Sequence, residues 1–137
     1  MQDKKFEILH HTSDLKIRVF GKTKKDLFLN AMKGMQIALR AEVLNLKSEV
    51  REVKIKSNDL NLLLVDFLSE INYLNEINKE VYQNIKFTKF SDTNLEAEIF
   101  GKKVKRFGLI IKGVTYYDLN VHQREDKIWE ATILFDI

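Results

Sequence analysis

The stretch from Leu60 to Leu74 constrains the fold most, because it has the length of a helix and is apolar on almost every side. A helix with one face in water carries an apolar stripe about 100° wide. This stretch has only five polar positions: Asn61, Asp66, Ser69, Glu70 and Asn72. Its apolar runs are shorter than the roughly 20 residues needed to span a bilayer. We therefore predict a central helix that is covered on more than one side, with these residues buried: Leu64, Phe67, Leu68 and Ile71.

Strand patterns flank this central helix on both sides. Leu15, Ile17 and Val19 alternate with Lys16 and Arg18, which is typical of a strand with one buried face. Further β-prone segments cover residues 48–56, 82–90, 95–100, 109–122 and 128–137. In the first of these, the change of parity between Val50 and Val53 predicts a bulge.

The helix signals complete the outline of the fold. Thr23 is a suitable N-cap for a first helix of roughly 18 residues that ends near residues 40–42, and Ser57 and Asn58 are candidate caps for the central helix. The patterns predict one α+β domain over residues 1–137, with two main helices packed against about six strands in layered mixed or antiparallel sheets.

Composition narrows the chemistry that is available. The chain has no cysteine, which excludes disulfides, thiolate metal sites and a cysteine nucleophile. The first residues precede no apolar signal segment, so we expect a cytoplasmic protein with no membrane span. Phosphate-binding glycine loops and the His-Glu-x-x-His zinc motif are also missing from the sequence.

The net charge is only +3, but the basic residues are clustered. One group lies between Lys16 and Lys25, and a second between Lys102 and Lys112. An acidic surface is expected on the central helix between them, from Asp59 to Glu80. These clusters could serve RNA, an acidic partner or solubility alone.

Two short segments carry candidate site residues. The run from His10 to Asp14 combines two imidazoles, two hydroxyls and a carboxylate, although a plain polar turn is the simpler explanation of these residues. At the other end, Asp136 is followed by Ile137 and its terminal carboxylate. A hard cation with oxygen ligands would offset the repulsion of these anions, as would a lysine or solvent, and a frayed terminal strand is the simpler alternative.

Four separated segments together resemble one protein family, the archeases. They are Phe6 to Val19 with its His11-Thr12-Ser13-Asp14 turn, the Gly21-Lys22-Thr23 turn followed by a helix with Ala31 to Met35, the central helix from Leu62 to Leu74, and Ile111 to Leu119 with the Phe135-Asp136-Ile137 end. The segments have the order of the family and span nearly the whole chain. The sequence departs from the family pattern at Ser13, Gly113 and Tyr117, so no role is carried over to Tyr117.

The resemblance implies a small cytoplasmic accessory protein that is not an enzyme. Archeases activate the RtcB-type RNA ligase of tRNA splicing and RNA repair, by promoting guanylylation of the ligase and its repeated turnover. They carry a divalent metal ion, usually calcium. By position, the metal ligands carry over to Asp14, Asp136 and a main-chain or terminal oxygen of Ile137, and Lys112 carries over as a contact to the ligase, nucleotide or RNA.

Two other functions remain open at the level of the sequence. One is a metal-dependent hydrolase that uses Asp14 and Asp136, although no general base or nucleophile is evident beyond these ligands. The other is a general RNA-binding or chaperone-like module. The basic runs favour it, but the sequence lacks the stacking aromatics of common RNA-binding sheets. Contact with tRNA is expected to be direct or through the ligase.

Overall fold

A computed structural model of the chain describes residues 4–10 and 13–137. Within these residues there are two helices and nine strands. In chain order they are β1 (Phe6–His10), β2 (Asp14–Gly21), α1 (Lys24–Ala38), β3 (Glu42–Val43), β4 (Glu49–Lys56), α2 (Leu60–Asn78), β5 (Glu80–Phe90), β6 (Asn94–Arg106), β7 (Gly113–Thr115), β8 (His122–Gln123) and β9 (Trp129–Asp136).

The strands form two antiparallel sheets with the helices between them. The first sheet has the order β1-β2-β9-β7, and β8 also pairs with β9. In the second sheet β6 pairs with β3, β4 and β5. Helices α1 and α2 each contact strands of both sheets. This arrangement confirms the predicted α+β class and explains the wide apolar surface of α2.

The core lies where α2 meets α1 and the sheets. Leu64, Phe67, Leu68 and Ile71 are all fully buried, as the sequence predicts. The ring centroids of Phe28 and Phe67 are 5.7 Å apart, which joins the two helices. Neither helix in the described part of the chain is long and apolar enough to cross a membrane.

The helix ends follow the capping rules with one change from the prediction. Thr23 caps α1 as predicted, because its hydroxyl accepts a hydrogen bond from the Asp26 amide at 3.1 Å. The cap of α2 is Asp59, whose carboxylate accepts from the Leu62 amide at 2.8 Å, and not Ser57 or Asn58. The Ser57 hydroxyl is used elsewhere, since it donates to Asp66 at 2.6 Å.

Two strand predictions differ from the structure. The predicted bulge in β4 is wrong: its register against β6 is continuous, with Val50 exposed on the outer face and Val53 buried. The predicted β segment 109–122 contains only the short strands β7 and β8. A turn separates them, in which the Leu119 amide donates to Tyr116 and Asp118 has a positive φ of 59°.

Candidate metal centre

The pairing of β2 with β9 brings the two predicted carboxylates together. Asp14 begins β2, Asp136 ends β9, and the two residues lie directly opposite each other in the antiparallel register. Side chains alternate along each strand, so the neighbouring Leu15 and Phe135 point into the core and are fully buried. The two carboxylates therefore share the outer face of the first sheet, at one end of the strand pair.

Asp14 is the carboxylate of this pair that lies partly buried. Its side chain is half-buried, and its Oδ1 atom is buried without a hydrogen-bond partner in the described part of the chain. Leaving a buried acceptor unsatisfied costs about 1–3 kcal/mol, and more when the group is charged. Asp136 opposite is a second carboxylate, and like charges at directly opposed positions destabilise a strand pair. Within the described residues, neither carboxylate forms an ion pair with a lysine or arginine.

Strand β7 holds Asp136 from its other side. The Lys112 amide donates a hydrogen bond of 2.7 Å to the Asp136 carbonyl, and Gly113 lies opposite Asp136 in the register. A Cβ atom on Gly113 would lie 3.8 Å from the Asp136 carboxylate, so this carboxylate lies on the side of β9 that faces Gly113. Asp136 is thus fixed between β2 and β7.

The remaining predicted residues lie beside this pair. Ile137 follows Asp136 directly and packs its half-buried side chain against the core. The Lys112 side chain is exposed. Tyr117 is 76% exposed in the turn after β7. His11 and Thr12 of the predicted polar run lie outside the described residues, and His10 is described only by its pairing with Leu15.

The donor set suits a hard cation. Two carboxylates and a main-chain oxygen are the ligands that Ca²⁺ and Mg²⁺ prefer, and a cation would satisfy the buried Oδ1 of Asp14. No group of three or more histidine, aspartate or glutamate side chains with metal-binding geometry occurs among the described residues. The candidate centre therefore depends on main-chain oxygen as well as on the two side chains.

A second polar cluster was not predicted from the sequence. Glu80, expected on the acidic surface of the central helix, is instead the first residue of β5, and its side chain is fully buried. The Arg51 guanidinium donates to both of its carboxylate oxygens, at 3.1 and 2.9 Å. The Tyr82 hydroxyl donates to Oε1 at 2.8 Å, and the Lys103 ammonium lies 3.2 Å from Oε2.

The electrostatics of this cluster keep Glu80 ionised. Burial alone raises the pKa of Glu80, but the hydrogen bonds from Arg51, Tyr82 and Lys103 outweigh it and lower the pKa from 4.5 to about 2. Burial raises the pKa of the Tyr82 hydroxyl, so Tyr82 remains a proton donor to Glu80. No sequence motif marks this cluster, because its members come from three strands.

Comparison with known proteins identifies the family. The family model described as "Archease protein family (MTH1598/TM1083)" matches residues 6–137. The chain belongs to the archease family. A relative from Methanosarcina barkeri, named "Protein archease", is 34% identical over 145 residues, which cover 99% of this chain and 98% of the relative. An archease from Pyrococcus abyssi is 30% identical, with coverage of 98% and 99%.

Two solved structures share the fold. A crystal structure of an archease and "possible chaperone" from Thermotoga maritima has a TM-score of 0.68 at 17% identity, covering 100% of this chain and 98% of that one. The solution structure of protein 1598 from Methanobacterium thermoautotrophicum has a TM-score of 0.66 at 23% identity, covering 96% and 98%. The layered α+β architecture is therefore that of archeases.

Proposed function

We propose that this archease is a non-enzymatic activator of an RtcB-type RNA ligase in tRNA splicing or RNA repair. It promotes guanylylation of the ligase and allows repeated turnover, and it holds a divalent cation, calcium, while doing so. The family membership of the chain supports this function. The opposed carboxylates at the end of the β2–β9 pair, with the unpartnered oxygen of Asp14, are the structural observation that carries it.

The carboxylates of Asp14 and Asp136 and a main-chain oxygen of Ile137 hold the cation. When bound, the cation supplies positive charge that neutralises the two carboxylates and satisfies the buried oxygen of Asp14. Lys112 is the residue that contacts a partner. Its amide donates to the Asp136 carbonyl and its side chain is exposed, and this side chain contacts the ligase, a nucleotide or RNA.

Cation binding can be measured without the ligase. Calorimetric titration with Ca²⁺ should show binding by the wild type, and Asp14→Asn and Asp136→Asn should each weaken it at least tenfold, because each removes one charged ligand. Glu52→Gln is the matched control, since Glu52 is an exposed carboxylate on the other sheet. If both aspartate variants bind Ca²⁺ and Mg²⁺ like the wild type, the site has been placed wrongly.

Ligase activation needs a reconstituted assay. The purified protein is added to its cognate ligase with GTP and divalent metal, and the covalent ligase–nucleotide intermediate and the product formed per ligase are measured. Both should rise with the wild type. Asp14→Asn should abolish the stimulation and Lys112→Glu should reduce it, whereas Lys86→Glu, an exposed charge reversal on the other sheet, should not. Matching circular dichroism spectra of all variants make the comparison valid.

The assay also separates the activator from the competing hydrolase. An activator changes the ligase and shows no ligase, nuclease or nucleotidase activity alone. If ligase guanylylation and yield stay unchanged with the wild type, the activator proposal is refuted. Metal-dependent hydrolysis by the protein alone, lost in Asp14→Asn, would establish the hydrolase in its place.

A further inference from the structure

An open groove of about 970 Å³ lies at the other end of the β2–β9 pair. Its walls come from the chain before β1, from β2 and α1, and from the turn between β8 and β9. Asp14 and Gly21 occupy opposite ends of β2, and a strand rises about 3.3 Å per residue. The groove is therefore roughly 20 Å from the candidate metal centre and is a separate site.

Basic side chains outnumber acidic ones in this groove. Four carboxylates line it, against these six cations: Lys4, Lys5, Arg18, Lys22, Lys33 and Arg124. Three of the carboxylates, Glu7, Asp126 and Glu130, lie in ion pairs with cations of the groove itself. Glu7 pairs with Lys4 at 2.6 Å and with Arg18 at 3.6 Å. These carboxylates orient the basic groups, and because the cations outnumber them the groove keeps a net positive charge.

Two arginines in the groove share one acidic neighbour, and Arg124 also donates to Asp126 at 3.0 Å. Glu130 lies 4.0 Å from Nε of Arg18 and 3.7 Å from Nε of Arg124. The Arg124 guanidinium also lies over the Phe20 ring, 5.8 Å from its centroid. A guanidinium has five N–H donors, so both arginines keep donors for a further acceptor. Its planar fork matches the oxygens of a phosphate group.

The charges on α1 indicate that stability alone does not explain this basic surface. Lys24 and Lys25 occupy the first turn of α1, where the helix dipole disfavours cations, and the last turn carries no basic residue. Lys24 is held in place by Asp92 at 2.7 Å and lies over the Trp129 ring at 5.1 Å. The basic surface thus continues past the groove, next to a second aromatic ring.

We propose that this groove binds the phosphates of a single-stranded nucleic acid. Single strands are bound by positively charged grooves that follow the backbone, together with aromatic rings on which bases stack. Cations from four segments of the chain supply the first feature. The second is supplied by Phe20, which lines the groove with Arg124 over its ring, and by Trp129, which lies beyond the groove with Lys24 over its ring. The proposal concerns a surface apart from the carboxylate pair and does not depend on ligase activation.

Fluorescence anisotropy of a labelled oligouridylate of about 12 nucleotides tests the proposal on the wild-type protein. Binding to single strands weakens with salt, with a logarithmic slope of about −0.7 per phosphate contacted. Contact with about three phosphates therefore predicts a loss of roughly 20-fold between 50 and 200 mM salt. Trp129, the only tryptophan, gives a second readout, because its fluorescence should change when unlabelled strand binds beside it.

Charge variants locate the binding. At low salt Lys33→Glu should weaken binding about tenfold and Arg124→Gln about threefold, whereas the control Lys86→Glu on the other sheet should change it less than twofold.

Three results would overturn the proposal. The first is that the wild type does not bind the strand. The second is that Lys33→Glu and Lys86→Glu weaken binding equally. The third is that inorganic triphosphate displaces the strand at an equal concentration of phosphate. The second result would mean that only the net charge matters. The third would mean that the groove takes a free phosphate group rather than a strand.

Discussion

Glu80→Gln is the substitution that tests the electrostatic reasoning most directly. Glutamine keeps the shape of the side chain but removes its charge. The Arg51 guanidinium and the Lys103 ammonium then lose the buried counter-charge that both contact. The carbonyl oxygen of the new side-chain amide would still accept a hydrogen bond from the Tyr82 hydroxyl, so the change isolates the charge.

The size of the effect follows from the pKa of Glu80. Its pKa falls from 4.5 to about 2 on folding, and each step of one in pKa corresponds to about 1.4 kcal/mol. Ionised Glu80 therefore stabilises the fold by about 3 kcal/mol at neutral pH. Removing one partner of a buried ion pair typically lowers the free energy of unfolding by a similar amount, about 3–5 kcal/mol. We expect Glu80→Gln to lower the free energy of unfolding by about 3 kcal/mol at pH 7.

The direction of the pKa shift also predicts how stability changes with pH. Because the pKa of Glu80 is lower in the folded state, its contribution is fully present above pH 4.5 and disappears as the pH falls from 4.5 to about 2. The wild type should lose this stability over that interval. The difference between the wild type and Glu80→Gln should accordingly shrink as the pH falls.

Urea unfolding at pH 7, 5, 4 and 3 measures both quantities. Glu52→Gln is the control, because Glu52 is exposed and pairs with the exposed Lys54 at 3.4 Å, so its effect should stay within about 0.5 kcal/mol. A loss below 1 kcal/mol for Glu80→Gln at pH 7, or an unchanged difference down to pH 3, would refute the assignment of Glu80 as a stabilising buried charge.

Three further substitutions test packing and capping by the same unfolding measurement. Gly101→Ala should cost about 1–3 kcal/mol, because the added Cβ would lie 2.6 Å from the Tyr82 ring; no loss would mean that the ring moves freely. Phe67→Ala should cost about 3–5 kcal/mol, since the ring is fully buried against Phe28, and a loss below 1 kcal/mol would contradict a central position of α2. Asp59→Ala should cost about 1 kcal/mol through the lost cap, whereas Asn58→Ala should be neutral.

The sequence predicts the layers of the fold because its signals there are local. The wide apolar surface from Leu60 to Leu74 predicts a helix that is buried on several sides, and the alternation from Leu15 to Val19 predicts a strand with one buried face. The position of the α2 cap and the short strands β7 and β8 were missed. The α2 cap is a local contact three residues long, and three adjacent polar residues could each have made it. Strands β7 and β8 depend on their pairing with β9, which lies further along the chain.

The residues of the candidate sites also include some that the sequence predicts and some that it misses. Asp14 and Asp136 were selected through the family resemblance, and the register then placed them opposite each other. Glu80 was misplaced, because a glutamate just after a helix resembles a solvated charge in the sequence. Only the tertiary contacts with Arg51 and Lys103 show that it is buried and paired. The groove residues Lys33 and Arg124 lie far from the basic runs and were also missed.

The register that opposes the two carboxylates is enforced by the core. Eight residues of β2 pair with eight of β9, and the inward positions Ile17 and Ile133 are fully buried opposite each other. A slip of one residue would turn every one of these apolar side chains to the outer face, at a cost far above the repulsion between two partly solvated carboxylates. The fold therefore holds Asp14 and Asp136 together even though they repel. The proposed cation would offset this repulsion, which the sheet cannot remove by shifting its strands.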